Sequence, residues 1–193
     1  LTPSLYFHEC RNNMIVWING AFGSGKSTIA DLLTKRLKPS YVYDPEQVGY
    51  FLWSVFPESM KRTGNFQHIP MWREFNYQIL KYIYQQYDGV LIVPMTIYNR
   101  QYYEEIIGRL QADEIEVRHF ILMAEKQTLI QRLVQRGESV DSWAAQHIDV
   151  CLQAFSSDIQ HEKIDTEGKS AEKVVSEIVN RLQITPTNNH REG

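Results

Sequence analysis

Met14-Ile-Val-Trp-Ile-Asn-Gly-Ala-Phe-Gly-Ser-Gly-Lys-Ser-Thr28 is the stretch from which the fold can be read. Its first part, Met14 to Ile18, is β-branched and aromatic, the pattern of a buried strand. Gly20-Ala21-Phe22-Gly23-Ser24-Gly25-Lys26-Ser27 then matches G-x-x-x-x-G-K-[ST] in full. From Lys26 onward Ile29, Leu32, Leu33 and Leu37 recur at helical spacing, and Pro39 stops the run. Strand, glycine-rich loop and helix in that order form a phosphate cradle. Gly20, Gly23 and Gly25 permit positive φ, so backbone N–H groups can converge on phosphate oxygens. The helix N-terminus adds its partial positive charge. The expected nucleotide contacts are Gly20, Ala21, Phe22, Gly23, Ser24, Gly25, Lys26, Ser27 and Thr28. Lys26 reaches the β and γ phosphates of ATP, and the Ser27 hydroxyl ligates Mg²⁺.

Working outward, short apolar runs alternate with helical patterns. Further strands are expected at Tyr41 to Tyr43, Val90 to Val93, Glu116 to Met123 and Lys163 to Asp165. Helices are expected over Glu46 to Phe56, Met71 to Tyr87, Asn99 to Leu110 and Lys126 to Arg136. Two more follow Ser142 and Ser170, both plausible caps. Residues 58–70 read as irregular. The alternation implies an α/β protein of three layers, α/β/α, around a five-stranded parallel sheet. One domain is expected over residues 14–184. Residues 1–13 read as an extension ahead of it and 185–193 as a polar tail. Ligands of such sheets bind at the carboxyl ends of the strands. That rule gathers the cradle, Asp44, Thr96 and Asp165 along one edge.

The bulk numbers exclude several classes. The net charge of −3 gives no field for nucleic acid or an anionic membrane. No run approaches the roughly 18 apolar residues of a membrane helix. Cys10 and Cys151 are too few for a disulfide scaffold and fit a reducing cytosol. The six histidines show no metal-ligand spacing. N-K-x-D, expected of a guanine-specific GTPase, does not occur. The strand Val90-Leu91-Ile92-Val93 ends in Pro94-Met95-Thr96 where a motor ATPase would carry an acid.

A small-molecule kinase places its acid elsewhere, at the end of the second strand, and Asp44 stands there. It can take a hydroxyl proton or hold the hydroxyl in line, or cap the next helix. Glu46 reads chiefly as a helix-start acid. Arg132 and Arg136, four apart, share a helix face beside the polar loop 137–141; they resemble the charge-neutralising lid arginines of kinases related to adenylate kinase, or form a solvated basic helix end. The segment between the second and third strands is rich in rings, among them Tyr50, Trp53, Phe66 and Trp72, which either line an acceptor pocket or pack the helices. Arg73, among them, reads either as a surface group or as a substrate anion contact. Trp72, Arg73, Thr96 and Asp44 are thus the candidate substrate contacts.

WINGAFGSGK at 17–26, SYVYDPE at 40–46, WREFNY at 72–77, LIVPMTI at 91–97, EIIGRL at 105–110 and SWAA at 142–145 together resemble the tunicamycin resistance protein family. That family is similar to chloramphenicol phosphotransferase and other small-molecule kinases. The resemblance implies a fold like that of nucleoside monophosphate kinases with a short lid. It implies Asp44 as the acceptor-side acid, Gly20 to Thr28 as the nucleotide loop and Arg136 as a lid arginine. The expectation is a cytoplasmic ATP- and Mg²⁺-dependent phosphotransferase acting on a hydroxyl of a small molecule, as monomer or homodimer. Lys26, Asp44, Arg132 and Arg136 are its expected catalytic residues. The alternatives are a non-catalytic ATP-dependent binder of a toxic compound and, against the acidic balance, a nucleic-acid end kinase.

Overall fold

The computed structural model describes residues 13–61, 64–159 and 161–183. The other residues, with most of the expected extension and all of the tail, lie outside the described residues. Strand β1 (Met14–Gly20) is buried along its whole length and leads through the glycine-rich loop into α1 (Lys26–Arg36). There follow β2 (Ser40–Val42), α2 (Glu46–Val55), α3 (Pro70–Gln86) and β3 (Val90–Pro94). After β3 come α4 (Arg100–Tyr103), a π-helical turn (Glu104–Gly108) and α5 (Arg109–Ala112). The chain closes with β4 (Val117–Met123), α6 (Lys126–Gln135), α7 (Trp143–Gln146), α8 (Ile148–Ser157), β5 (Glu162–Asp165) and α9 (Ala171–Leu182).

All strand pairings are parallel, and the sheet order is β2-β3-β1-β4-β5. Side chains alternate across the sheet, so each strand feeds two cores. Ile15 and Trp17 pack with Leu52, Trp72, Leu80 and Phe155 on one face. Val16 and Ile18 pack with Ile29, Leu33, Val175 and Ile178 on the other. The expected three layers and five parallel strands are both present. Among the described residues no helix is long and apolar enough to cross a membrane.

The boundaries moved where tertiary contacts override the local pattern. β1 extends past Ile18 because Asn19 and Gly20 pair with Ile121 and Leu122 of β4. Asn13, expected in the extension, is buried and joins the fold: its Oδ1 accepts from Gly89 N and its Nδ2 donates to Tyr84 O. The helix expected after Ser142 breaks at His147 into α7 and α8. Ser142 and Ser170 cap as expected, accepting from Ala145 N and Lys173 N. The irregular 58–70 stretch contains 3₁₀ turns at Glu58–Met60 and Phe66–His68.

Candidate active site

The site is built on the junction of β1 and β3. Asn19 pins the two strand ends together. Its Oδ1 accepts from Gly20 N at 2.8 Å and Ile97 N at 3.0 Å, and its Nδ2 donates to Ile97 O at 2.8 Å. The same amide nitrogen lies 3.1 Å from His119 Nε2. Because Oδ1 already takes two N–H groups, Nδ2 donates to the imidazole, and the ring proton sits on Nδ1. Burial pushes the His119 pKa well below the usual histidine value, which keeps that neutral form.

Gly20 O accepts from Thr96 Oγ1 at 2.8 Å and from Lys26 Nζ at 3.1 Å. Lys26 also donates to Ala21 O at 3.1 Å and lies over the Phe22 ring. Burial pulls its pKa down to about 8. The like charge of Arg136 adds to that, and Glu46 opposes it. Gly23 adopts φ +81°, and a Cβ there would stand 2.5 Å from Leu129 O, so only glycine fits this close approach. Ser24 Oγ is buried without a hydrogen-bond partner. A buried hydroxyl left unpaired is costly, and a phosphate oxygen is the acceptor that a cradle of this shape presents to it. The loop therefore fits a nucleotide polyphosphate.

A cavity of about 590 Å³ opens from this cradle. Lys26, Ser27, Thr96 and Arg136 are among its lining residues. Asp44 and Glu46 line it from the carboxyl end of β2 and the start of α2. Tyr50, Trp53 and Phe66 form a ring wall, with Phe66 at 5.2 Å from Tyr50 and 4.1 Å from Trp53, centroid to centroid. Trp53 Nε1 has no hydrogen-bond partner. Glu138 and Trp143 line it as well, and Trp143 meets Phe22 edge-on at 5.1 Å. A second hollow of about 230 Å³ lies behind the loop, between Ser24, Thr28, Arg132, Arg136, Thr166 and Lys169.

Several expected residues take other places. Trp72 does not reach the cavity: it is fully buried under α2 and donates from Nε1 to Pro45 O at 3.0 Å. Arg73 is neither a surface group nor a cavity cation. It is buried, pairs with Glu105, donates to Gln67 O and lies over the Tyr102 ring at 4.3 Å. Its charge is spent on holding the 3₁₀ turn whose Gln67 Nε2 donates to Thr96 O at 2.6 Å. Thr96 does line the cavity, but its hydroxyl is committed to Gly20 O. Arg132 and Arg136 share the second hollow, yet only Arg136 also reaches the first. Arg132 donates to Thr166 Oγ1 and Thr166 O, which ties α6 to the exit of β5. Ser27 lines the first cavity and Thr28 the second, so the loop separates the two.

The sequence did not single out Glu138 or Trp143, and it read Glu46 mainly as a helix-start acid. Trp143 follows a polar loop and the Ser142 cap, a signal for the root of a lid. Among the described residues no three His, Cys, Asp or Glu side chains cluster as a metal site. Mg²⁺ held by the Ser27 hydroxyl and nucleotide oxygens needs no such cluster.

Comparison with known proteins gives structural neighbours only. No family model matches the chain, and no curated protein matches it. The structure of the Deinococcus radiodurans tunicamycin resistance protein is similar at TM-score 0.74 and 27% identity, over 89% of this chain and 97% of that one. A sugar kinase from Janibacter sp. HTCC2649 matches at TM-score 0.64 and 16% identity, over 90% and 96% of the two chains. A gluconokinase from Sinorhizobium meliloti 1021 matches at TM-score 0.60 and 12% identity, over 89% and 93%. The last two show the fold alone. With the cradle and the sheet order described above, these likenesses make the chain a P-loop protein of kinase-like, ATP-binding fold and bear out its resemblance to the tunicamycin resistance protein family.

Proposed function

We propose that the protein is an ATP-dependent phosphotransferase acting on a hydroxyl of a small molecule in the cytoplasm. One observation carries this reading: a single cavity brings Lys26, Ser27 and Arg136 together with the carboxylates of Asp44 and Glu46 and the ring wall of Tyr50, Trp53 and Phe66. The first group suits a polyphosphate, and the second suits a hydroxyl-bearing ring compound. In this reading the loop N–H groups and Lys26 hold the donor phosphates, and Arg136 neutralises charge as the phosphoryl group moves. The Ser27 hydroxyl would hold Mg²⁺, which when bound would offset the charge of the donor phosphates. An acid at the end of β2 receives the acceptor proton. The rings and the lid-side Trp143 exclude water that would otherwise compete with the acceptor.

The test is incubation of the protein and MgATP with a pool of hydroxylated small molecules, read by mass spectrometry. The expected outcome is a compound heavier by one phosphoryl group, with ADP in equal amount. Tight MgATP binding without any product sinks the proposal. It would favour the second reading, a binder that sequesters its ligand. Thr96 in place of an acid at the end of β3 favours that reading.

A further inference from the structure

The two carboxylates at the end of β2 have different surroundings. Asp44 is tied to the turn it opens. Its Oδ1 accepts from Glu46 N at 2.9 Å and its Oδ2 from Gln47 Nε2 at 3.0 Å. Each oxygen thus serves the first turn of α2, the local bonding that favours Asp at such positions. Glu46 begins α2 on the cavity wall, one helical turn before Tyr50, which also lines it. Asp31, Asp44, Glu46 and Glu138 all line the cavity, and of these it is Glu46 whose charge bears on the Lys26 ammonium. Lys26 marks the place of the transferring phosphoryl group. Tyr50, on the other side of Glu46, belongs to the ring wall. Glu46 therefore has both Lys26 of the cradle and Tyr50 of the ring wall as electrostatic neighbours, while each Asp44 oxygen accepts from the turn it opens.

We propose that Glu46 is the catalytic base and that Asp44 is a positioning residue acting through it. This rests on the phosphotransferase reading. The acceptor oxygen bonds to the γ-phosphorus of ATP as its proton passes to the Glu46 carboxylate. The bond from that phosphorus to the β,γ-bridging oxygen breaks, and its electron pair leaves on ADP. Glu46 then returns the proton to solvent.

Burial and the Asp44 charge push the Glu46 pKa above the ordinary carboxylate value, while Lys26 and the Tyr50 hydroxyl pull it back. Arg136 faces the same Lys26. A base acts only when ionised, so turnover falls on the acid side as Glu46 takes a proton.

The experiment follows MgATP turnover with water as acceptor and with the compound pool, from pH 4.5 to 8, for wild type, Glu46→Gln, Glu46→Asp and Asp44→Asn. Glu46→Gln is expected to lower kcat by about 10²–10⁴-fold, with KM for MgATP nearly unchanged and the acid limb gone. Glu46→Asp keeps a limb at reduced rate, which separates lost chemistry from lost folding. Asp44→Asn keeps the limb but moves it to lower pH, because a negative neighbour of Glu46 has been removed. The assignment falls if Glu46→Gln retains the limb, or if Asp44→Asn abolishes it. A wild-type protein that binds MgATP yet turns over nothing overturns the phosphotransferase reading and this assignment together. Turnover in Glu46→Gln equal to wild type overturns the assignment alone.

Discussion

Lys26 offers a direct measurement of how the cradle takes up a nucleotide. In the ligand-free protein its ammonium is held by Gly20 O and Ala21 O, partly desolvated and beside Arg136, and its pKa falls to about 8. A polyphosphate brought into the cradle supplies negative charge at that ammonium, which raises the pKa again. At pH 9 about nine-tenths of the free protein has a neutral Lys26, against about half at pH 8. Binding at pH 9 therefore draws up to about 0.9 proton from solvent per nucleotide, and about 0.1 at pH 7. The affinity follows the same arithmetic, so Kd for MgATP is expected to rise about 5-fold from pH 8 to pH 9. The triphosphate is fully ionised across that interval, so its own titration does not enter. Titration calorimetry in two buffers of different ionisation enthalpy reads the proton uptake. Lys26→Met should bind weakly and take up no proton. A wild-type Kd that is flat between pH 8 and pH 9, with no uptake at pH 9, refutes the account of Lys26 as a desolvated phosphate ligand.

Three further outcomes test the walls of the site. Gly49→Ala places a methyl group inside the Phe66 ring, which rests directly on that glycine. It should cost about 1–3 kcal/mol in chemical denaturation, with a smaller effect on MgATP affinity, since no cradle residue touches that glycine. Thr96→Val removes the hydroxyl that bonds Gly20 O and should cost about 1–3 kcal/mol, with Thr96→Ser restoring most of it in the same assay. Stability should also decline in alkali. Burial pushes Cys151 and Tyr103 up to about 12, and Tyr43 further. These groups hold protons more firmly folded than unfolded, so their contribution is complete below their ordinary values and fades as pH climbs towards 12. Denaturation midpoints measured from pH 8 to 11.5 should fall, and a rising midpoint across the upper half of that range contradicts the burial of these groups.

The glycine-rich cradle of the candidate site was legible because it is contiguous. Residues 20–28 carry the loop, the lysine and the hydroxyls in one run, and the strand and helix flanking them fix their shape. The ring-lined side of the cavity was not, because its members meet only through the fold. Trp53 and Trp72 look alike in sequence, yet Trp53 lines the cavity and Trp72 is buried against the sheet. Arg73 finds Glu105 across 32 positions, a pairing that local pattern does not contain. Arg132 and Arg136 are on one face at helical spacing, but α6 ends at Gln135. Arg136 has left helical geometry, with φ −86° and ψ 0°, and it alone reaches both cavities.

The missing acid at the end of β3 also has a local cause. Gly20 O turns towards Thr96 and Lys26, and it accepts from both. Were Lys26 to turn to a phosphate, that carbonyl would lose one donor and still hold the Thr96 hydroxyl. A carboxylate at position 96 has no proton to give and would set its negative charge against a buried carbonyl. The position therefore calls for a hydroxyl in this chain. The same threonine is held from behind, since its carbonyl accepts from Gln67, which Arg73 fixes in turn. A bonded path thus runs from Arg73 through Gln67 and Thr96 to Gly20 and Lys26, joining the turn that carries Phe66 to the phosphate cradle. Arg73, read from sequence as a surface group or a substrate contact, is instead a buried anchor of the turn that carries Phe66.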